Sequence, residues 1–148
     1  VEQLARCCGE PLCAEGDEVF LFPTPEQLCG LTEAQLTGCG LGYRTRYIQH
    51  AAAQAAARTL DLDALAVLPD NALFSRLLTL DGVGKKVANC VCLFGYGRTA
   101  MAPIDVWIQR LIDEEFGGRD PFPAYGQQAG IVQQYLFYYK RSISTQKK

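Results

Sequence analysis

The sequence feature that most restricts the fold is a pair of glycines between two apolar segments. Residues 77–90 read LLTLDGVGKKVANC, so an apolar run stops at Gly82-Val83-Gly84 and a second apolar segment begins at once. Glycine adopts a positive φ at little steric cost, and its backbone N–H is not covered by a side chain. The N–H groups of such a turn, with the first turn of the next helix, form a favourable seat for a phosphate. We therefore predict two helices joined by an anion-binding hairpin.

The rest of the chain predicts short helices and little else. Thr24 precedes Pro25, which is an N-cap followed by proline at the first helical position, and Thr32 with Gln35 has capping-box spacing. Further helical segments are predicted at residues 43–60, 72–80, 85–94, 103–116 and 124–140. No strand pattern exceeds a few residues. The predicted fold is an all-α bundle of short helices with one helix-hairpin-helix motif.

The composition is that of one ordinary globular domain. The chain has 148 residues, enough for a real core, and we take residues 1–148 as a single domain. It is 49% apolar and 20% charged. No run approaches the roughly 18–20 apolar residues that cross a bilayer, and the first residues do not resemble a signal peptide. An intracellular monomer is expected.

The net charge of −2 hides an uneven distribution of charged residues. Residues 1–40 hold seven acids and one base, whereas residues 41–60 hold three arginines and no acid. Residues 71–100 hold four bases against Asp81. The C-terminal end adds Lys140, Arg141, Lys147 and Lys148. Basic segments thus coincide with the glycine-bearing turns, and this local charge matters more for binding a polyanion than the net charge does.

The cysteines form no recognisable metal or disulfide pattern. There are seven, an odd number, without a repeated C-x-x-C pair, and His50 is the only histidine. A zinc site is therefore not expected, and no four-cysteine cluster that could hold an iron–sulfur cluster follows residue 92. Taken alone, Cys90 and Cys92 are best interpreted as small core residues.

Three side chains at or after the hairpin have the chemistry of an active site. Lys86 and Cys90 are four residues apart and share a helical face. Asp105 follows Lys86 by nineteen residues, at the start of a helix preceded by Pro103. Plainer interpretations exist for each feature. The glycine turn could simply join two core helices, and Asp105 could be an ordinary helix N-cap.

Four separated motifs, in the right order, resemble one known family over nearly the whole chain. Residues 80–88 (LDGVGKKVA) and 102–106 (APIDV) are similar to the helix-hairpin-helix-GPD superfamily of DNA glycosylases. Residues 40–47 (GLGYRTRY) and 129–137 (AGIVQQYLF) resemble its 8-oxoguanine DNA glycosylase branch. The resemblance implies an all-helical domain that acts on damaged duplex DNA.

The resemblance places the nucleophile at Lys86 rather than Lys85. Its amine would capture C1′ of the sugar as a Schiff base when the flipped base is removed, so it has to be neutral. At the reference pKa of ~10.4, well under one lysine in a thousand is neutral at pH 7. We expect burial, the helix N-terminus and Lys85 to favour the neutral amine. Asp105 would stabilise positive charge at the sugar and assist proton transfers, while capping bonds keep it ionised.

The resemblance also implies contacts with the DNA around the lesion. Tyr43 would wedge into the base stack, and Arg44 would contact the base left without a partner. Further DNA contacts are implied at Arg46, Gly82, Val83, Gly84 and Lys85. Without the family resemblance, a plainer interpretation is about as good as contact with DNA. In it, Tyr43 is a half-buried core residue and Arg44 is a solvated surface residue.

The base pocket is assigned to Cys90, Gln133 and Phe137. Gln133 and Phe137 are four residues apart on one helical face. The amide would read the Watson–Crick edge and the ring would stack on the purine, with Cys90 opposite. Core packing is the plainer interpretation of Phe137 alone, but the three together favour an oxidised guanine. The family pattern also implies a monovalent cation on hairpin carbonyls, and no other cofactor. Those carbonyls belong to Leu78, Leu80 and Val83.

Three departures from the family pattern bear on function. Asp81 stands where proline or an apolar residue is usual, close to an expected phosphate. Trp107 stands where the animal branch has a phosphate-binding histidine. The family's N-terminal β-rich domain and asparagine-rich wedge loop are not in these 148 residues, and the chain begins at Val1 rather than Met. We therefore expect a fragment of a longer protein.

The sequence predicts a bifunctional DNA glycosylase/AP lyase that flips 8-oxoguanine out of duplex DNA. It would remove the base through a Schiff base on Lys86 and cleave the abasic site by β-elimination. Two alternatives stay open: a glycosylase for another damaged base, such as an alkylated one, and a non-catalytic module that uses the hairpin only to grip phosphate. The expected location is with the DNA, in a bacterial cytoplasm rather than a nucleus.

Overall fold

The computed structural model describes residues 1–14 and 17–145. Lys147 and Lys148, part of the predicted basic C-terminal end, lie outside these residues. The chain divides into two compact units, Val1–Leu65 and Ala66–Lys148. The interpretation of residues 1–148 as one glycosylase domain stays a prediction.

The first unit consists of short helices and one β-hairpin. Its core is a cluster of Leu4, Leu28, Leu36 and Ala52, one from each of four helices. Helix α4 packs against α2 and α3. The elements are α1 (Glu2–Cys8), β1 (Pro11–Ala14), β2 (Asp17–Phe20), α2 (Pro25–Cys29), α3 (Glu33–Gly38), a 3₁₀ turn (Gly42–Arg44), α4 (Thr45–Ala56) and α5 (Leu62–Ala66), at whose end the first unit stops.

The capping signals predicted from the sequence are confirmed. Thr24 Oγ1 accepts a hydrogen bond from the Gln27 N–H at 3.2 Å, and Gln27 Oε1 accepts one from the Thr24 N–H at 2.8 Å. Thr32 and Gln35 make the same reciprocal pair at the start of α3. Both boxes satisfy backbone donors that a helix start leaves without partners.

The hairpin of β1 and β2 is not predicted by the sequence. The strands are antiparallel, with Pro11 opposite Phe20 and Leu12 opposite Val19. Leu12 and Val19 are both exposed, so this pair of strands has no buried face. Without one, the sequence need not alternate between apolar and polar residues, which is the pattern that predicts a strand. Among the described residues these are the only strands, and the prediction of an all-α fold is confirmed.

Helix α4 ends earlier than predicted because the chain turns at a strained residue. Arg58 has a φ of 55°, the only positive φ of a non-glycine residue in the part of the chain that the structure describes. Its N–H donates to Ala55 O, and the Thr59 N–H donates to Gln54 O at 2.9 Å. This is the left-handed position after a helix end, where glycine is usual.

We expect Arg58→Gly to raise the free energy of unfolding by about 0.5–1 kcal/mol and Tm by about 1–4 °C. Glycine carries no Cβ to clash in this conformation, although its greater freedom in the unfolded chain offsets part of the gain. Thermal and urea unfolding followed by circular dichroism measure the change. Arg58→Ala is the matched control, because it removes the same side chain but keeps Cβ. An equal gain in stability in both variants would show that the effect comes from removing the arginine side chain and not from relieving the strain at Cβ.

The second unit is built from helices around a small apolar cluster. Ile108, Ile112, Phe122 and Ala129 form that cluster. Helix α8 packs against α9, and the buried Lys140 of α9 pairs with Glu114 of α8. The elements are α6 (Asp70–Leu77), α7 (Lys85–Cys90), a π-helical turn (Val91–Gly95), α8 (Val106–Glu115), a 3₁₀ segment (Phe122–Gln128) and α9 (Ala129–Thr145).

Arg98 ties the segment after the π-helical turn to residues 66–70. Its Nη2 donates to Ala66 O at 2.6 Å and to Leu68 O at 3.2 Å, and its Nε lies 3.4 Å from Asp70 Oδ1. Its backbone N–H donates to Cys92 O at 2.9 Å.

Burial, with a smaller contribution from Asp70, raises the pKa of the Cys92 thiol. The interpretation of Cys92 as a core residue is confirmed, since its side chain is fully buried.

Across residues 1–14 and 17–145, none of the helices has both the length and the apolar character that crossing a membrane requires.

Candidate active site

The predicted hairpin joins α6 to α7. The Val83 N–H donates to Leu80 O at 3.1 Å, and Gly82 has a φ of 76°, so only the first glycine needs the left-handed region. Gly84 is the extended N-cap of α7, with φ −89° and ψ 177°. A Cβ built on Gly84 would meet no atom within 4 Å. The space in front of the first turn of α7 is therefore open, and no side chain at the N-cap covers the N–H groups that point into it.

Helix α7 presents Lys86 and Cys90 on one face, as their spacing predicted. Lys86 is exposed, so the expectation that this residue is buried is wrong for the free chain. Cys90 is half-buried. The helix continues directly into the π-helical turn, which carries Phe94.

A single cavity of about 140 Å³ collects the residues predicted for chemistry and for the base pocket. It lies within the second unit and draws on α7, the π-helical turn, the residues before α8, and α9. Its lining residues are Lys86, Cys90, Phe94, Pro103, Asp105, Gln133, Gln134 and Phe137. The structure thus brings together both predicted catalytic residues and all three predicted pocket residues.

Asp105 is the N-cap of α8 and also faces the cavity. Its Oδ1 accepts hydrogen bonds from the Trp107 and Ile108 N–H groups, both at 3.0 Å. Its Oδ2 has no hydrogen-bond partner among the described residues. One oxygen therefore fixes the carboxylate in place, while the other stays available to a ligand. The N-cap interpretation of Asp105 is confirmed, and its role in the active site stays a prediction.

Helix α9 reaches the cavity because Gly130 permits a close approach. A Cβ at this position would lie 2.4 Å from Met101 O and 2.8 Å from Leu93 Cδ1. The Gly130 N–H donates to Thr99 O at 2.8 Å. One and two turns later, Gln133 and Phe137 face the cavity.

Gln133 is 2% exposed, and its Oε1 accepts a hydrogen bond from Gln134 Nε2. A buried amide is costly unless its groups are paired. Phe137 packs against the apolar cluster of the unit as well as lining the cavity, so its plainer interpretation as a packing residue also holds in part.

Three lining residues were not predicted: Phe94, Pro103 and Gln134. Phe94 is 65% exposed and stands eight residues after Lys86 and four after Cys90, a spacing that could have indicated it. Pro103 lies within the 102–106 motif. Gln134 has no sequence signal of its own beyond its neighbour Gln133.

The first unit carries a cluster of aromatic and basic side chains at the start of α4. The Arg44 guanidinium lies 4.8 Å from the Tyr43 ring centroid, and Arg46 lies 4.8 Å from the Tyr47 ring centroid. The two rings meet edge to face at 6.4 Å. Tyr43 is 73% exposed, so the interpretation of Tyr43 as a half-buried core residue is wrong. Exposed rings stacked with arginines suit contact with nucleic acid bases.

In the described part of the chain, no three His, Cys, Asp or Glu side chains come close enough together to hold a metal ion. The cation expected at the hairpin would instead use backbone oxygens. Val83 N–H occupies one lone pair of Leu80 O, and a carbonyl oxygen has a second one.

Comparison with known proteins places this chain among proteins of DNA repair. Residues 1–125 match the family model described as "HhH-GPD superfamily base excision DNA repair protein". A "Probable N-glycosylase/DNA lyase" of Methanothermobacter thermautotrophicus is 30% identical over 95% of this chain and 54% of its own length. An "N-glycosylase/DNA lyase" of Saccharomyces cerevisiae is 31% identical over 78% of this chain and 36% of its own length.

A solved structure is similar as well. An 8-oxoguanine glycosylase/lyase of Clostridium acetobutylicum, in complex with double-stranded DNA containing cytosine opposite 8-oxoguanine, has a TM-score of 0.88 and 28% identity. The match covers 97% of this chain and 52% of that one. The chain spans about half the length of the Methanothermobacter relative and of this solved structure.

Proposed function

This chain belongs to the HhH-GPD superfamily of base excision DNA repair proteins, and from that premise we propose that it is a bifunctional DNA glycosylase/AP lyase that removes 8-oxoguanine from duplex DNA. The observation that carries the proposal is the cavity in which Lys86 and Asp105 meet Cys90, Gln133 and Phe137. At about 140 Å³ it is smaller than the ~300–1,000 Å³ of a typical small-molecule pocket, which suits a single planar base. The protein would act wherever the DNA is, and duplex DNA is its partner.

The reaction begins at C1′ of the extruded nucleotide. The neutral Lys86 amine attacks C1′ as the bond to the base nitrogen breaks, and the base leaves with that electron pair. The nitrogen now bonded to C1′ is positively charged and gives up one proton, which the departing base takes up. The C1′–O4′ bond then breaks, O4′ takes up a proton, and the lone pair restored to the nitrogen forms the C=N bond of a Schiff base. Loss of a C2′ proton expels the 3′-phosphate, which cleaves the strand by β-elimination. Bound DNA would cover the exposed Lys86 and supply the burial that favours the neutral amine.

Asp105 is placed to stabilise positive charge at the sugar. Its Oδ1 is held by two backbone N–H groups, so the carboxylate needs no rearrangement as the charge develops. In the base pocket, the Phe137 ring stacks on the purine, the Gln133 amide contacts its Watson–Crick edge, and Cys90 lies opposite. Phe94, exposed at the cavity, is available to cover the inserted base.

The DNA backbone would be held at the hairpin. The open N–H groups after Gly84, with Lys85, suit a phosphate, and carbonyls of Leu78, Leu80 and Val83 would bind a monovalent cation that adds positive charge there. In the first unit, Tyr43 would enter the base stack, with Arg44 and Arg46 contacting the DNA around it.

Borohydride trapping tests the activity directly. The chain is incubated with a duplex that carries 8-oxoguanine, with a duplex that carries an abasic site, and with an undamaged duplex. The proposal expects a covalent adduct and strand cleavage with the first two duplexes only. Salt-sensitive binding without any adduct would favour the non-catalytic module. An adduct at the abasic site alone would favour another damaged base.

Substitutions in the pocket should separate base recognition from lyase chemistry. We expect Phe137→Ala or Gln133→Ala to slow release of 8-oxoguanine by roughly 10–100-fold, because a stacking partner or a buried hydrogen-bonding group is lost. Cleavage at a preformed abasic site should change by less than about threefold, since no base occupies the pocket there. Single-turnover rates on both duplexes give, for each variant, the ratio of 8-oxoguanine release to abasic-site cleavage. Equal losses on both substrates would count against the pocket assignment.

A further inference from the structure

The end of α3 lies against one face of α1, and a cysteine stands on each side of this contact. Cys39 is the C-cap of α3, and its Sγ donates a hydrogen bond to Gln3 O at 3.7 Å. Gln3 stands four residues before Cys7 on α1, so these two residues share a helical face. A Cβ built on Gly40 would lie 3.2 Å from Gln3 Oε1, so the residue after Cys39 approaches the same face.

The thiols of Cys7 and Cys39 meet across this contact, although the two residues are far apart in the sequence. The Cys39 side chain makes a hydrogen bond with the side chain of Cys7. Cys8, the other cysteine at the end of α1, is turned toward a different face, where its Sγ donates to Leu4 O at 3.6 Å. Of the two adjacent cysteines, Cys7 is therefore the one that faces Cys39.

The two thiols differ in their access to solvent and in their reactivity. Cys7 is exposed, whereas Cys39 is half-buried. Burial raises the pKa of the Cys39 thiol, and the hydrogen bond and charge interaction with Cys7 raise it further. Because the thiolate is the reactive form, Cys39 is the poorer first nucleophile. An oxidant in solution therefore meets Cys7 first, with the Cys39 thiol already beside it.

We propose that Cys7 and Cys39 are a redox-active pair that a peroxide converts into an intramolecular disulfide. The Cys7 sulfur attacks one peroxide oxygen and becomes a sulfenic acid, while the O–O bond breaks and the other oxygen leaves as water. The Cys39 sulfur then attacks the Cys7 sulfur, and the sulfenic oxygen leaves as a second water. The two thiols lose two protons and two electrons, and the peroxide gains them as it becomes two waters.

This bond would join α1 to the segment that leads into the predicted DNA contacts. Gly40 and Gly42, with φ of 73° and 56°, lie between Cys39 and the pair Tyr43 and Arg44. The disulfide would fix the first residue of this short segment to α1. The inference does not depend on the proposed function, because thiol oxidation needs no DNA. A chain that gives no borohydride-trapped adduct can still form the disulfide.

The test is treatment of the folded chain with hydrogen peroxide, followed by digestion at glutamate and arginine without a reductant. Mass spectrometry should find residues 7–10 (CCGE) joined to residues 34–44 (AQLTGCGLGYR), with the loss of two hydrogen atoms. Cys7→Ser or Cys39→Ser should lower the yield of this joined peptide by at least about 10-fold, because serine cannot form the bond. Cys7 is exposed, so Cys7→Ser should fold as the unmodified chain does.

Cys8→Ser is the matched control, since it removes the neighbouring thiol from the same peptide. It should leave the yield of the joined peptide within about twofold of the unmodified value, because the attacking and attacked sulfurs are both still present. The inference is overturned if no joined peptide forms, or if the main product is a disulfide-linked dimer. It is also overturned if the joined peptide persists in Cys7→Ser and disappears in Cys8→Ser.

Discussion

Lys86→Gln is expected to form no borohydride-trapped adduct and to lose strand cleavage by at least about 10³-fold. The glutamine amide has nearly the reach of lysine, but its nitrogen lone pair is delocalised and cannot attack C1′. Lys86 is exposed and glutamine is a good helix former, so α7 should be undisturbed. Gel analysis of trapped product and single-turnover cleavage measure the loss, and circular dichroism verifies the fold.

Lys85→Gln is the control that the sequence itself offers. It removes the same charge from the same helix start, one residue earlier, and lies outside the cavity lining. It should weaken DNA binding by a few fold, as expected for one lost charge near a phosphate, and still give the adduct. An adduct that survives Lys86→Gln, or one that disappears only with Lys85→Gln, would contradict the assignment of the nucleophile.

Asp105→Asn is expected to slow base release by about 10²–10³-fold while changing the free energy of unfolding by less than about 1 kcal/mol. Asparagine caps a helix about as well as aspartate does, so the bonds to the Trp107 and Ile108 N–H groups can remain. Only the negative charge near the sugar is lost. Single-turnover rates and urea unfolding, measured on the same preparation, separate the two effects.

Asp105→Ala completes this comparison. It removes the cap as well as the charge, so it should lose about 1 kcal/mol of stability in addition to the activity. If Asp105→Asn retained full activity while Asp105→Ala lost it, the residue would act only as a cap. Full loss in both variants, with instability in the alanine variant alone, supports the electrostatic role.

The sequence predicts best those features that depend on neighbouring residues. The two capping boxes, the turn at Gly82 and the cap at Asp105 each involve residues within four positions of one another, and all four occur in the structure. The shared face of Lys86 and Cys90 follows from helical spacing in the same way. Their meeting with Gln133 and Phe137 could be expected only from the family resemblance, because no local rule joins α7 to α9.

Other features have no signal in the local sequence. Arg98 bonds to Ala66 and Leu68, about thirty residues away, and no periodicity indicates such a contact. The β-hairpin has no buried face to produce alternation. The exposure of Lys86 depends on how α7 packs against the rest of the unit, and no local pattern indicates it. Gly130 could be noted as a glycine inside a helix, but its closeness to Met101 O is a property of the packed structure.

The π-helical turn after α7 controls where Phe94 points. In a regular α-helix each residue rotates by about 100°, so a residue eight positions after Lys86 would be rotated about 80° away from it. A π-helical turn winds more slowly, with bonds from residue i to i+5, and so rotates Phe94 back toward the side of Lys86 and Cys90. The aromatic wall of the cavity is therefore aimed by helix winding: the same side chain on an evenly wound helix would face elsewhere.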